Sequence, residues 1–240
     1  MTDQAARPRK QEQEPASEAI VELAPNVLRC QLPIDMPGLG HVNCYLLEDD
    51  RGVAVVDPGL PSKASFASLT SRLAAAGYPL SRVHTVIVTH SHPDHFGGAG
   101  WLQRESGADV VTHRSFRFMW DPAEPPDVDV EDVPDLAGDA DGEPLPHTRR
   151  FPWQKTPWGG PGVEIPLKRK AWFVMARAMP MMRRLPQPTV RLEEAQTIAL
   201  ARRDWIAVHT PGHTHDHLCL FDPTDGCMLC GDHVLPTITP

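Results

Sequence analysis

At 240 residues with 41% hydrophobic side chains, the chain is long enough for one large core, and one domain carrying an insertion is expected rather than two independent ones. Its formal net charge of −8 argues against wholesale attraction to nucleic acid or to an anionic membrane. No stretch approaches the roughly 20 apolar residues of a membrane span.

The start, residues 1–18, has no apolar core of signal-peptide length and reads as a disordered polar tail, so a soluble, cytoplasmic protein is expected. From Ala19 to Val56 the pattern is strands and turns. "HVNCYLLED" and "GVAVVDPG" are β-rich runs, the second ending at Pro58 and Gly59. "SKASFASLTSRLAAAGY" follows, with Phe66, Leu69, Leu73 and Ala76 at helical spacing, a serine ahead of it and Gly77 at its end. Next come a strand in "HTVIVTH", a cluster of histidines, a helix through "WLQRESG" and a strand in "ADVVTH". Strand–helix alternation with buried β runs indicates an α/β fold whose sheets are covered by helices.

Residues 114–188 change character and read as an insertion in a domain spanning 19–240. Asp121 to Glu143 holds ten acidic residues and no Lys or Arg, as a solvated loop does. Arg149 to Arg184 holds nine Lys or Arg against one acid, Glu164, together with Trp153, Trp158 and Trp172. Trp172, Met175, Met179 and Met182 recur at helical spacing, with a kink expected at Pro180. This segment is expected to act as a lid, or else to be a packed cap without substrate contact. The α/β rhythm resumes at "TVRLEEAQTIALARRDWIAVHTPGHT".

Five cysteines, Cys30, Cys44, Cys219, Cys227 and Cys230, are too few and too scattered for a disulfide framework. Cys227 and Cys230 form one isolated CxxC. It could be a zinc knuckle or redox pair, but small strand residues are the simpler reading.

The chemistry concentrates in "VIVTHSHPDHFGG". His90, His92, Asp94 and His95 form HxHxDH directly after a β-branched run. Charged imidazoles this close repel, and neutral ones leave buried nitrogens needing partners. A divalent cation resolves both problems, since it takes neutral imidazole and ionised carboxylate. Alternate spacing lets His90 and His92 address one ion while Asp94 and His95 serve a second. "HTPGHTHDH" adds His209, His213, His215 and His217, and "CMLCGDHVL" adds Asp232 and His233.

HxHxDH, then "PGHT", then "GD" after a strand, with the earlier "VVDPG", resembles the metallo-β-lactamase-fold hydrolase superfamily, including its glyoxalase II-like members. The resemblance covers roughly Val27 to His113 and Thr189 to Pro240. It implies a four-layer αββα sandwich with the ligands on loops at one edge of the paired sheets. It also implies that His90, His92 and His213 form a first metal site, that Asp94 and His95 contribute to a second, and that Asp232 bridges the two. The cofactor implied is Zn2+, as two ions, with iron or manganese as alternatives. The family's second site ends in a further histidine well beyond "GD", which this sequence lacks, and with about fifty residues after Thr189 the second half is expected to be incomplete. An uncovered apolar sheet face and weak second-site binding are expected with it.

His209, His215 and His217 are expected to be structural or to support the ligands. His233 is expected on a strand, facing away from Asp232. His41, His84, His113 and His147 read as incidental. Asp57 is placed to orient a ligand histidine or to cap a turn.

The implied activity is metal-dependent hydrolysis by an activated hydroxide, with Asp94 orienting the nucleophile. The bond attacked is of ester type (thioester, lactone or phosphodiester), with a thioester or acyl ester favoured. Glutamate in place of the second motif histidine typifies di-iron oxygen reducers, and a missing bridging aspartate typifies zinc β-lactamases; His92 and Asp232 speak against both. The insertion's aromatic, Met and basic residues suggest a small-molecule substrate with apolar and anionic parts. An iron-dependent persulfide dioxygenase and a catalytically incomplete, metal-binding protein stay open as alternatives. Oligomeric state is not legible.

Overall fold

The computed structural model describes residues 13–36, 39–117, 167–168 and 185–235. The acidic run 121–143, the stripe from Trp172 to Met182, and His147 lie outside the described residues. The chain divides into two compact units, Met1–Arg114 together with Leu185–Pro240, and Ser115–Arg184. All elements named here belong to the first; of the second, the described residues are 115–117 and 167–168.

Four antiparallel strands open the fold: β1 (Val21–Ala24), β2 (Val27–Met36), β3 (Leu39–Asp49) and β4 (Gly52–Val56). Helix α1 (Lys63–Ala75) then crosses to β5 (Val83–Ile87), and the short α2 (Pro93–Phe96) with α3 (Ala99–Ser106) crosses to β6 (Asp109–His113). The pairs β4–β5 and β5–β6 are parallel, which requires such crossovers, and β7 (Val190–Leu192) also pairs in parallel with β6. The seven strands lie in the order β1-β2-β3-β4-β5-β6-β7. A second, antiparallel sheet has the order β11-β10-β9-β8, from β8 (Thr197–Leu200), β9 (Arg203–His209), β10 (Leu218–Asp222) and β11 (Cys227–Leu229).

The period of two along the strands explains how the layers stack. Ala54, Val56, Ile87 and Val111 of the large sheet share one buried cluster with Trp205, Ala207, Leu218, Leu220 and Leu229 of the small one, so the sheets face each other. Val53, Val55, Val86 and Val110 alternate with the first set and are also fully buried, on the side where α1 and α3 pack. Leu69 and Leu73 of α1 are wholly buried there, each contributing about 1.5–3 kcal/mol. The Ser62 side chain caps α1 by accepting from the Ser65 amide at 3.1 Å, and Gly107 ends α3 in the left-handed region at φ 73°.

Helices, large sheet and small sheet are three layers of the expected αββα sandwich. On the outer side of the small sheet, Thr197, Ile206, Phe221 and Met228 stand in cross-strand register, with Met228 44% exposed. Residues 13–18, read from the sequence as part of a disordered tail, are tied to three elements. The Ser17 amide donates to Gln31 Oε1, the Glu14 carbonyl pairs with His41 Nδ1, and Arg72 donates to the Ser17 carbonyl. His41, expected to be incidental, is thus a structural partner of this segment. No helix among the described residues is long and apolar enough to cross a membrane.

Candidate metal centre

The end of the parallel pair β4–β5 fixes the centre. Asp57 follows β4 and bonds through its amide to the Ile87 carbonyl at 2.9 Å, which brings it level with the end of β5. Its carboxylate accepts from the Thr89 amide through Oδ1 (2.9 Å), and from the Thr89 hydroxyl (2.8 Å) and His95 Nδ1 (2.9 Å) through Oδ2. The single proton of the Thr89 hydroxyl is given to Asp57. The hydroxyl oxygen therefore accepts from His90 Nδ1, 2.9 Å away. That assigns the His90 tautomer: Nδ1 carries the proton and Nε2 keeps its lone pair. His90 is fully buried, and its Nε2 has no hydrogen-bond partner.

Three other groups gather beside that lone pair. His90, His92, His213 and Asp232 each offer a ligand atom, all within 4.8 Å of one another. His92 is the residue before α2, and His213 lies in the loop after β9; their Nδ1 and Nε2 atoms are 3.0 Å apart. Asp232 sits between two imidazoles, with Oδ2 3.5 Å from His213 Nε2 and Oδ1 3.4 Å from His95 Nε2. Asp94 Oδ2 approaches the same His95 nitrogen at 3.7 Å. All six residues singled out in the sequence thus gather at one edge of the sandwich, Asp94 and His95 beside the four-residue group.

Two glycine positions make the approach possible. Gly98 packs where a Cβ would run into the Pro58 carbonyl, so α2 can lie against the Asp57 turn. Gly231 has φ +47°, and a Cβ there would stand 2.8 Å from Thr89 Oγ1 and 3.0 Å from His217 Nε2. With that left-handed residue the chain turns into a 3₁₀ segment, Gly231–His233, in place of the strand expected at Asp232 and His233. His233 consequently comes to lie 5.7 Å, ring to ring, from His217.

The electrostatics suit a cation. Burial, reinforced by the neighbouring imidazoles, drives the His90 pKa far below the usual histidine range. Burial and His213 bring His92 down to about 4, and burial also lowers His213. These three rings are neutral at pH 7, the form in which imidazole binds metal. His95 is the exception: burial opposes its protonation, but the carboxylates of Asp57 and Asp232 outweigh it and hold its pKa well above the ordinary value. Burial also works against the charge on Asp232, yet the His95 hydrogen bond and nearby imidazoles leave its pKa lowered. An orphaned buried nitrogen, three neutral imidazoles and an ionised carboxylate make a donor set that could hold a divalent ion such as Zn2+.

Thr89, Asp216 and Ser91 escaped the sequence reading. Asp216 is buried in the loop before β10 and accepts from Ser91 Oγ at 3.1 Å, joining that loop to the HxHxDH turn. Its only sequence signal is its place between two histidines. His217 is fully buried, accepts or donates at Thr210 Oγ1 through Nδ1 (2.9 Å) and stacks on His90 at 5.0 Å, a supporting position. His209 stacks on His113 at 3.9 Å, and its Nε2 lies 2.9 Å from the His215 carbonyl. His84 pairs with Asp49 at 3.2 Å, away from the centre.

The chain is 27% identical over 197 residues to the probable metallo-hydrolase YqjP of Bacillus subtilis, covering 82% of this chain and 54% of that protein. It is 39% identical over 49 residues to a hydroxyacylglutathione hydrolase of Synechococcus, covering 20% of this chain and 19% of the relative. The fold matches a metallo-beta-lactamase family protein from Thermus thermophilus with a TM-score of 0.64 at 24% identity, covering 91% of this chain and 63% of the other. The chain thus spans less than two thirds of the length of these relatives. The model of the metallo-beta-lactamase superfamily matches residues 37–240, and the chain belongs to that superfamily.

Proposed function

We propose that the protein is a metal-dependent hydrolase acting on an ester-type bond, and that among thioester, lactone and phosphodiester a thioester or similar acyl ester is the best fit. One observation carries the reading: the buried, unpartnered Nε2 of His90 shares a 4.8 Å cluster with His92, His213 and Asp232. A divalent ion held by these residues, with a second beside Asp94, His95 and Asp232, would supply hydroxide at neutral pH by lowering the pKa of water from 15.7 to about 7.

The chain's own groups then divide the work. Asp57 and Thr89 hold His90 and His95 in the orientation that leaves His90 Nε2 without a partner and His95 Nε2 beside Asp94 and Asp232. Asp94, at the first turn of α2, directs its carboxylate toward His95 Nε2, where it would orient the water that the metal supplies as hydroxide. Asp232 spans His95 and His213 and would be a ligand available to either ion. The preference for a thioester draws on the hydroxyacylglutathione hydrolase among the relatives. It also draws on residues 149–184, whose nine basic side chains and three tryptophans suit an anionic handle and an apolar portion.

The test is turnover by protein of measured metal content on a panel of thioesters, lactones and phosphodiesters, with oxygen consumption on a persulfide substrate in parallel. Hydrolysis that disappears on chelation and returns with Zn2+ is expected. Oxygen consumption without hydrolysis would overturn the reading.

A further inference from the structure

The β2–β3 hairpin places two cysteines face to face. Cys30 and Cys44 are directly opposite in the antiparallel register, and both are fully buried. The hydrogen bond from the Glu48 amide to the Asn26 carbonyl sets the alternation along the hairpin, and the register runs unbroken from Val27 to Pro33. Cys30 and Cys44 therefore form a hydrogen-bonded pair, with Cα atoms about 5.5 Å apart. That spacing lies inside the range a disulfide spans, although the Cβ atoms have to close in to make the bond.

Helix α1 packs against β2 and carries a cation that nothing in the centre uses. Arg72 of α1 is buried; it reaches the Ser17 carbonyl at 3.2 Å and Glu18 at 3.8 Å, while its Nε has no hydrogen-bond partner. The Cys44 thiol first, and the Arg72 charge after it, lower the Cys30 pKa against the opposing effect of burial. A guanidinium beside a thiol favours the thiolate, the form that attacks oxidants. None of the six candidate ligands is a cysteine, although the Asp57 charge, which also holds His95, reaches Cys44.

We propose that Cys30 and Cys44 form a redox-modifiable dithiol, closed to a disulfide by hydrogen peroxide or another small peroxide and reopened by thiols. Cys30 thiolate attacks a peroxide oxygen, breaking the O–O bond and releasing hydroxide, which leaves a sulfenic acid on Cys30. The Cys44 sulfur then attacks the Cys30 sulfur. The S–S bond forms as the S–OH bond breaks, and the hydroxyl leaves as water with the Cys44 proton. In sum the two thiols lose two protons and two electrons, and the peroxide becomes two waters.

The bond is read directly by mass spectrometry on the full, metal-loaded chain. Trypsin cuts after Arg29 and Arg51, so one peptide contains both Cys30 and Cys44, and a second, Asp204 to Pro240, contains Cys219, Cys227 and Cys230. After peroxide and N-ethylmaleimide, the first peptide should be unlabelled and about 2 mass units lighter than its reduced form. The second should be fully labelled, and dithiothreitol should restore labelling of the first. Arg72→Met should slow closure about tenfold where Arg72→Lys does not, with both variants checked for native circular dichroism. A first peptide that stays reduced, ends as sulfinic acid, or closes only after the CxxC pair has done so overturns the proposal. Equal rates in all three proteins remove Arg72 from it.

Discussion

Asp57 Oδ2 accepts the Nδ1 proton of His95 at 2.9 Å, and it does so from a backbone held at φ 55°, in the left-handed region. Non-glycine residues enter that region only where surrounding structure compels them, here three hydrogen bonds to one carboxylate. Asp57→Asn should therefore lower metal affinity about 10–100-fold, because the amide cannot serve the Thr89 amide, the Thr89 hydroxyl and His95 alike. Zinc titration against a competing chelator measures it. Unchanged affinity would mean that Asp57 only shapes the turn.

Removing a ligand should act more severely. His90→Ala and His213→Ala each delete one of the imidazoles in the four-residue cluster. Each variant should lose first-site metal, measured as stoichiometry by elemental analysis after purification with Zn2+. Full retention in both would defeat the assignment of this cluster as the metal centre.

Asp94 separates activity from folding. It sits at the start of a four-residue helix, partly exposed, and makes one long contact to His95 at 3.7 Å. Asp94→Ala should change stability by less than about 1 kcal/mol. Its hydrolytic rate should fall by about 100-fold or more. Near-normal turnover would show that another group orients the water.

Zinc should stabilise the fold through the same residues. With His90, His92 and His213 held neutral, binding at the first site displaces no imidazolium from them, so the fold is prepared for the ion at pH 7. Free zinc at 100 times its dissociation constant should add about 2.7 kcal/mol to unfolding stability. The shift in thermal midpoint on titration reads this, and it should vanish in His90→Ala.

What was legible in the sequence was local. The run from Val86 into His90, and HxHxDH itself, advertise a strand ending in ligands because both signals fall within a dozen residues. Helix α1 was legible through Ser62, Leu69, Leu73 and Gly77. The partners set by register were not. Thr89 matters because β4 and β5 run parallel and bring Asp57 to its level. Cys30 meets Cys44 only through the β2–β3 pairing. Asp232 was found through its motif, but its 3₁₀ turn depends on the close packing of Gly231 against Thr89 and His217, which spacing does not encode. The polarity of residues 13–18 suggested disorder because their stabilisation comes from distant side chains, Gln31, His41 and Arg72.

Asp216 supplies a prediction about pH. Its carboxyl is buried and accepts from Ser91 through Oδ1, while Oδ2 has no hydrogen-bond partner. Burial pushes its pKa up to about 6 from 3.8, against the lowering effect of its hydrogen bonds. A carboxyl whose folded pKa is raised binds more protons folded than unfolded between those values. Its contribution to stability is therefore greatest below pH 3.8, declines as pH rises to about 6, and is constant above. The loss across that window is at most roughly 3 kcal/mol. Asp216→Asn keeps an oxygen for Ser91 and removes the charge. In chelator, the variant should match the wild type near pH 4 and exceed its unfolding stability at pH 7, with the gap opening between those values. Denaturant titrations of both proteins at half-unit pH intervals give the difference directly, since titrations common to the two cancel. A gap that does not change with pH would show that Asp216 is charged at no cost, held by partners other than Ser91.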